Sequence, residues 1–329
     1  MKRKQPLSKV LLRHSALLLL VWPLVALAQA TYPTKPIRFI SPYAPGGSTT
    51  AMARVVGQKL TESWGQNVIV DNRPGGNTII GTEVLAKSTP DGYTIIMTTN
   101  THLINPNLFP KLPYDPIKDF APVATVYSSE FILVVNPSVP ANNLQELFAL
   151  AKSRPGQLNY ATTGTGGSGH LANEMMNILA GIKTQHIPYK GAGPALVDLI
   201  GGQVQMFINN PLTVIAHINS GRLRAMAITG ETRVPALPQV PTFTEAGLPG
   251  LDVKPWFFVL APAGTPKPII DKLSTEIARI VAMPDVQDYL AKQGMNPFIS
   301  SSAQLATMMK TDMAKWAKVI KAANIRLEN

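Results

Sequence analysis

Ser168 and His170 stand two residues apart at the end of a glycine-rich run, Asn159 to His170, reading NYATTGTGGSGH. A hydroxyl beside an imidazole could serve acyl transfer. Gly164, Gly166 and Gly169 also fit the G-x-G-x-x-G spacing of a dinucleotide site. The offsets decide against both. A nucleophile elbow needs G-x-S-x-G, and the position two past Ser168 holds His170 instead of glycine. The dinucleotide fingerprint wants an acidic residue about 20 positions on for the ribose, where the chain has Thr184, Gln185 and His186. What remains is an anion site or a plain tight turn. Glycine leaves no Cβ between backbone and ligand. A helix that follows adds spare N–H groups and the positive end of its dipole. Ser168 is expected as the N-cap of that helix.

The elements that would position this loop are legible around it. An extended run, Leu158 to Thr162, enters it, and an amphipathic helix leaves it with Leu171, Met175, Ile178 and Leu179 as its apolar stripe. The same arrangement opens the chain. Strand Lys35 to Pro42 ends in Tyr43-Ala44-Pro45-Gly46-Gly47-Ser48-Thr49, and a helix runs on to about Trp64. Strand Asn67 to Asp71 leads through Asn72-Arg73-Pro74-Gly75-Gly76-Asn77 to a helix from about Thr78 to Ser88. A third strand, Tyr93 to Thr98, runs into the polar stretch Thr99-Asn100-Thr101-His102. Strands alternating with helices predict a mainly parallel sheet covered on both faces. Ligands of such sheets sit at the carboxyl ends of the strands, so loops 43–49, 74–78 and 163–169 are expected to meet at one site. Two long β-prone stretches, around 127–135 and 253–260, read as crossings between two domains. The C-terminal third is helical, with Trp316 and its methionines as core.

Composition narrows the chemistry. The 329 residues contain no cysteine, so there is no disulfide, thiolate nucleophile or thiolate ligand. The histidines form no HxH, HxxxH or HExxH cluster, which argues against a metal site. Residues 1–30 read as a secretory leader: Lys2, Arg3, Lys4, Lys9 and Arg13 precede an apolar run, Ser15 to Val25. Ala26-Leu27-Ala28 and Ala28-Gln29-Ala30 both suit cleavage, so the mature chain is expected to start near Gln29 or Thr31. The five basic residues of the leader take the formal charge from +11 to +6 on the mature chain. No basic cluster with interleaved aromatics remains, and nucleic acid is not an expected partner.

Taken in order, several stretches carry a family pattern: YPTKPIRFISPYAPGGST, VDNRPGGNTIIGTEVLAKSTPDGYT, NYATTGTGGSGHLANEMM, HIPYKGAGPALVDLIGGQV, LRAMAITG with LPQVPTFTEAGLPG, and WFFVLAPAGTPKPIIDKL. The mature chain resembles the Bug-type, TctC-like solute-binding proteins of tripartite tricarboxylate transporters. The resemblance implies a periplasmic α/β protein of the type II binding-protein architecture: two doubly wound lobes joined by crossing strands, with a ligand cleft between them. It implies lobe 1 from 31–131 and 256–329, and lobe 2 from 132–255. It also implies a small carboxylate ligand, membrane permease subunits as partners, a monomer, no cofactor and no catalysis. Carried over residue by residue, the ligand contacts are Tyr43, Gly46, Gly47, Ser48 and Thr49, then Gly76, Asn77 and Thr78. The opposing lobe matches at Thr163, Gly164, Gly166, Ser168 and His170. Asn209 and Asn210 are added from position alone, at the end of a second-lobe strand. Members often carry Asp where this chain has Thr50, which implies a ligand without an obligatory amino group. The rival readings are an exported oxidoreductase or hydrolase using loop 164–169, or a sensor that presents ligand to a receptor.

Overall fold

In β1 (Ile37–Ser41), Ile37, Phe39 and Ile40 are wholly buried, as expected of a strand covered on both faces. The computed structural model describes residues 32–322. The expected leader and both cleavage sites lie outside the described residues. After β1 come α1 (Ser48–Trp64), β2 (Val68–Asn72), α2 (Ile79–Ala86), β3 (Thr94–Thr99), α3 (Thr101–Leu108) and β4 (Phe120–Ser129). Helix α1 buries Met52, Val56 and Leu60 at i, i+4 and i+8, and Gly65 closes it at φ +67°.

The chain then enters a second sheet through β5 (Ile132–Val135), α4 (Leu144–Ser153), β6 (Asn159–Thr162), α5 (Ser168–Ala180), β7 (Gln185–Pro188), α6 (Ala192–Ile200), β8 (Met206–Asn209), α7 (Pro211–Asn219) and β9 (Arg224–Ile228). It returns through β10 (Trp256–Pro262), α8 (Lys267–Val281), α9 (Pro284–Lys292), β11 (Met295–Pro297) and α10 (Ser302–Ala322).

The strand orders are β11-β4-β10-β3-β1-β2 and β7-β6-β8-β5-β9. Each sheet keeps a parallel half, β3-β1-β2 in one and β7-β6-β8 in the other. The sheets are otherwise antiparallel, which the strand–helix alternation alone did not predict. β10 runs against β3 and β4, and β5 runs against β8 and β9. The reason is the crossing. The strands that bring the chain into a sheet from the other one, β5 and β10, insert opposite in direction to the strands beside them, whereas β4 and β9, which carry it out, keep the sense of β3 and β8.

The two crossings lie side by side. The Ser129 N–H donates to Pro255 O at 3.1 Å. Thr229 Oγ1 accepts the Phe131 N–H at 2.8 Å and donates to Val253 O at 3.0 Å. Lys254 Nζ pairs with Glu130 Oε1 at 2.9 Å.

The C-terminal helix straddles the lobes. Leu305 and Met309 of α10 pack with Ile96, Phe258 and Leu260 of the first sheet. Trp316 and Ile320 join a core with Leu133, Tyr160 and Ile208 of the second.

The α5 stripe differs from the periodicity. Ile178 and Leu179 are exposed, and the buried face carries Leu171, Ala172, Asn173, Met176 and Asn177. Leu171 and Met175 meet the core as expected, but two asparagines occupy core-facing positions, so a pattern drawn only from apolar residues drifts off the buried face toward the end of the helix. Asn173 Nδ2 donates to Gly169 O at 2.8 Å, which satisfies that donor within its own helix.

Candidate functional site

Four strand-to-helix turns converge where the two sheets face each other. The first is 43–49. Gly47 is the N-cap of α1 and Ser48 the first helical residue, with no side-chain cap. The Ser48 hydroxyl donates across the cleft to Asn210 Oδ1 at 3.4 Å. Thr50 lies behind the turn. Its hydroxyl accepts from Asn72 Nδ2 at 2.8 Å and meets Ser41 Oγ at 3.0 Å, while Asn72 Nδ2 also donates to Tyr43 O at 2.8 Å. Thr50 thus braces the loop. Tyr43 Oη meets Thr99 Oγ1 at 3.0 Å, and burial pushes the phenol above its usual range, so it remains neutral.

The second turn is strained. Gly75, Gly76, Asn77 and Thr78 take φ of +124°, +55°, +49° and +77° in succession. A β-branched residue at φ > 0 is an outlier costing about 1–3 kcal/mol, and such strain gathers at functional sites. Asn105 holds the turn, accepting from Asn77 Nδ2 at 2.7 Å and donating to Asn77 O at 2.9 Å.

The third turn is 163–168. Gly167, not Ser168, is the N-cap of α5, and Ser168 occupies the first helical position without capping it. The reason is reach: a cap side chain must precede the first turn to fold back on its N–H groups. The Gly166 N–H donates to His170 Nδ1 at 3.0 Å, so the imidazole holds the loop from behind. His170 stacks on His186 with centroids 4.1 Å apart, and His186 Nε2 hydrogen-bonds Thr162 Oγ1 at 2.7 Å. Burial, and next the neighbouring His186, lower His170 to about 3; burial lowers His186 to about 4. Both rings are neutral near pH 7.

The fourth turn ends β8, where Asn209 Oδ1 accepts the Asn210 N–H at 2.7 Å. Asn210 Nδ2 is buried without a protein partner.

Two cavities lie between these turns, and Thr163 lines both. The first lies among the turns that end β1, β3, β6 and β8. Of the residues expected from sequence, Tyr43, Gly47, Ser48, Thr49, Thr163, Ser168, Asn209 and Asn210 line it. Gly76, Asn77, Thr78 and Gly164 line the second cavity. Gly46 lies instead against Gly193, and Gly166 and His170 line neither space.

Sequence reasoning missed Thr99 and Thr101, which the polar run after β3 could have signalled. It also missed Phe131, Pro255 and Phe257, which it assigned to the crossings and not to the cleft. The first cavity is therefore polar on its loop side and aromatic on its hinge side. No charged side chain lines it. Among the described residues no group of His, Asp and Glu could hold a metal ion.

The lobes touch by backbone beside the second cavity. The Ala44 N–H donates to Lys190 O at 2.9 Å. Gly193, in the first turn of α6, lies so close to Pro45 O that a Cβ there would overlap it.

Comparison with known proteins gives one consistent result. The model of the tripartite tricarboxylate transporter family receptor, TctC, matches residues 52–325. BugT of Bordetella pertussis is 39% identical over 300 residues, covering 91% of this chain and 92% of that protein. The structure of Rpa4515 from R. palustris with adipate superposes with a TM-score of 0.87 at 33% identity, covering 90% of this chain and 99% of that one. MatC from Rhodopseudomonas palustris with bound malate gives 0.84 at 31% identity, covering 88% and 100%.

Proposed function

The chain belongs to the tripartite tricarboxylate transporter receptor family, and from that premise we propose that it is an exported, non-enzymatic monomer that closes its two lobes on a small organic carboxylate and delivers it to a membrane permease. The lobes of this reading are 31–131 with 256–329, and 132–255. The leader is removed near Ala28 or Ala30, releasing the protein to the periplasm.

One observation carries the reading. Neutral hydrogen-bond groups from both sheets surround a single uncharged cavity: the Ser48, Thr49, Thr99, Thr101, Thr163 and Ser168 hydroxyls and the Asn209 and Asn210 amides. Hydroxyls and amides donate to an anion without a neutralising charge, and the dipoles of α1 and α5 add to them. The orphaned Asn210 Nδ2 is a donor awaiting such an acceptor. Structures of relatives with adipate and with bound malate support the carboxylate class. Neither cavity is lined by Asp or Glu, which supports a ligand with no ammonium group.

Against acyl transfer stands the His170 ring. Its Nδ1 takes the Gly166 N–H, so this nitrogen is not available as a base for Ser168. A thermal-shift and calorimetry panel of mono-, di- and tricarboxylates, aromatic acids included, tests the proposal. Binding to the native state alone stabilises by about 2.7 kcal/mol at a hundredfold excess over Kd. At least one carboxylate should do so without being consumed. Turnover of any of them, or no shift with all of them, overturns the reading.

A further inference from the structure

The second cavity differs from the first in one respect: Lys190 lines it. No other Lys or Arg and no Asp or Glu lines either space. Lys190 is exposed and enters none of the ion pairs among the described residues. Its neighbour Tyr189 is engaged elsewhere, donating its hydroxyl to Asp198 Oδ2 at 2.6 Å. The root of the lysine is fixed, because Lys190 O accepts the Ala44 N–H across the lobes. The main chain of Lys190 is therefore held at the seam, while its four-carbon stem leaves the ammonium free to reach.

Thr163 lines both cavities, and Lys190 lines the second. The first cavity can hold one carboxylate with neutral donors. A second carboxylate on the same ligand needs either water or a cation, and Lys190 is the cation available.

We infer that the second cavity is the subsite for a ligand's far carboxylate, with Lys190 Nζ as its counter-charge, and that Lys190 thereby sets a preference for dicarboxylates over monocarboxylates. The inference rests on the carboxylate reading above and adds the residue that distinguishes one acid group from two. Lys190 acts on the far end only, so its loss should leave the grip on the first carboxylate intact.

Calorimetry on wild type, Lys190→Gln and Lys190→Arg tests this. The probes are butanedioate, hexanedioate, octanedioate and benzene-1,4-dicarboxylate, each against its monoacid. Wild type should bind at least one diacid more tightly than its monoacid, and added salt should shrink that advantage. Lys190→Gln should weaken the diacid about five- to fiftyfold, the scale of one charge-assisted contact at a partly wet site, and leave the monoacid unchanged. Lys190→Arg should retain the preference. If the diacid and monoacid weaken together, Lys190 is a structural part of the seam and the subsite is overturned. A diacid advantage that survives in Lys190→Gln also overturns it. Equal binding of mono- and diacids by wild type removes the subsite alone. A wild type that binds no acid removes the carboxylate reading with it.

Discussion

Ser168 sits at the first position of α5 with its hydroxyl unused by the helix, and its place at the cavity follows from that small displacement. Had it been the N-cap, its oxygen would have folded back onto the helix N–H groups. Ser168→Ala should therefore weaken carboxylate binding by about 0.5–1.5 kcal/mol, or up to about 3 if the hydroxyl meets a full charge. Because no cap is lost, the unfolding temperature without ligand should hold. Calorimetry with parallel thermal melts checks both, and a fall in stability with unchanged affinity would return Ser168 to a structural role. The glycine loop was legible as a strand-to-helix turn because glycine spacing and a following helix are local signals. The displacement by one residue was not, since cap and first turn accept the same residue types. Nor was the service of His170. Its ring turns back to the Gly166 N–H and the His186 face, a choice set by the strand beside it.

At the scale of elements, the hinge is two crossing strands joined by Thr229 and by one ion pair. Glu130 carries a side chain only 12% exposed, while Lys254 is 49% exposed. Burial raises the Glu130 carboxyl above its usual range and Lys254 opposes that rise. A raised carboxyl pKa in the fold adds stability at low pH, and this is lost as pH climbs through the folded value. Lys254→Met removes the opposing charge, so the folded value rises further. The variant should lose about 1–3 kcal/mol at pH 7, and the deficit should close toward pH 4, where both states hold the proton. Urea unfolding from pH 4 to 8 measures this. In a Glu130→Gln background the same change should cost little, because no buried carboxylate is left unpaired. The crossings could be read from sequence as two unusually long β-prone stretches. The antiparallel insertion of β5 and β10 could not, because strand direction is a property of the return path and not of any one segment. The aromatic wall they give the cavity, Phe131 and Phe257, was hidden for the same reason.

For the whole molecule, the proposed closing step reduces to a backbone contact at the seam. Gly193 lies in α6 and is absent from the positive-φ glycines, so alanine suits its conformation and gains about 1 kcal/mol of helix propensity. Its Cβ would nevertheless overlap Pro45 O when the lobes meet. Gly193→Ala should keep or raise the melting temperature without ligand while weakening carboxylate binding by at least about tenfold. Small-angle scattering should show wild type contracting at ligand saturation and the variant staying extended. Equal contraction in both would mean that the lobes need not approach so closely. The Ala44 to Lys190 hydrogen bond has a consequence of a different kind, because it is made by main-chain atoms alone. Substitution at either residue, proline at 44 excepted, leaves its donor and acceptor in place, and neither atom reads the ligand. A lineage can therefore exchange Thr99, Thr101 or Asn209 for other side chains, or replace the lysine that meets a second acid group, without rebuilding the clasp. Diversity of cargo and constancy of the clasp are separable in this architecture, and a binder redirected to a new acid can inherit its clasp unaltered.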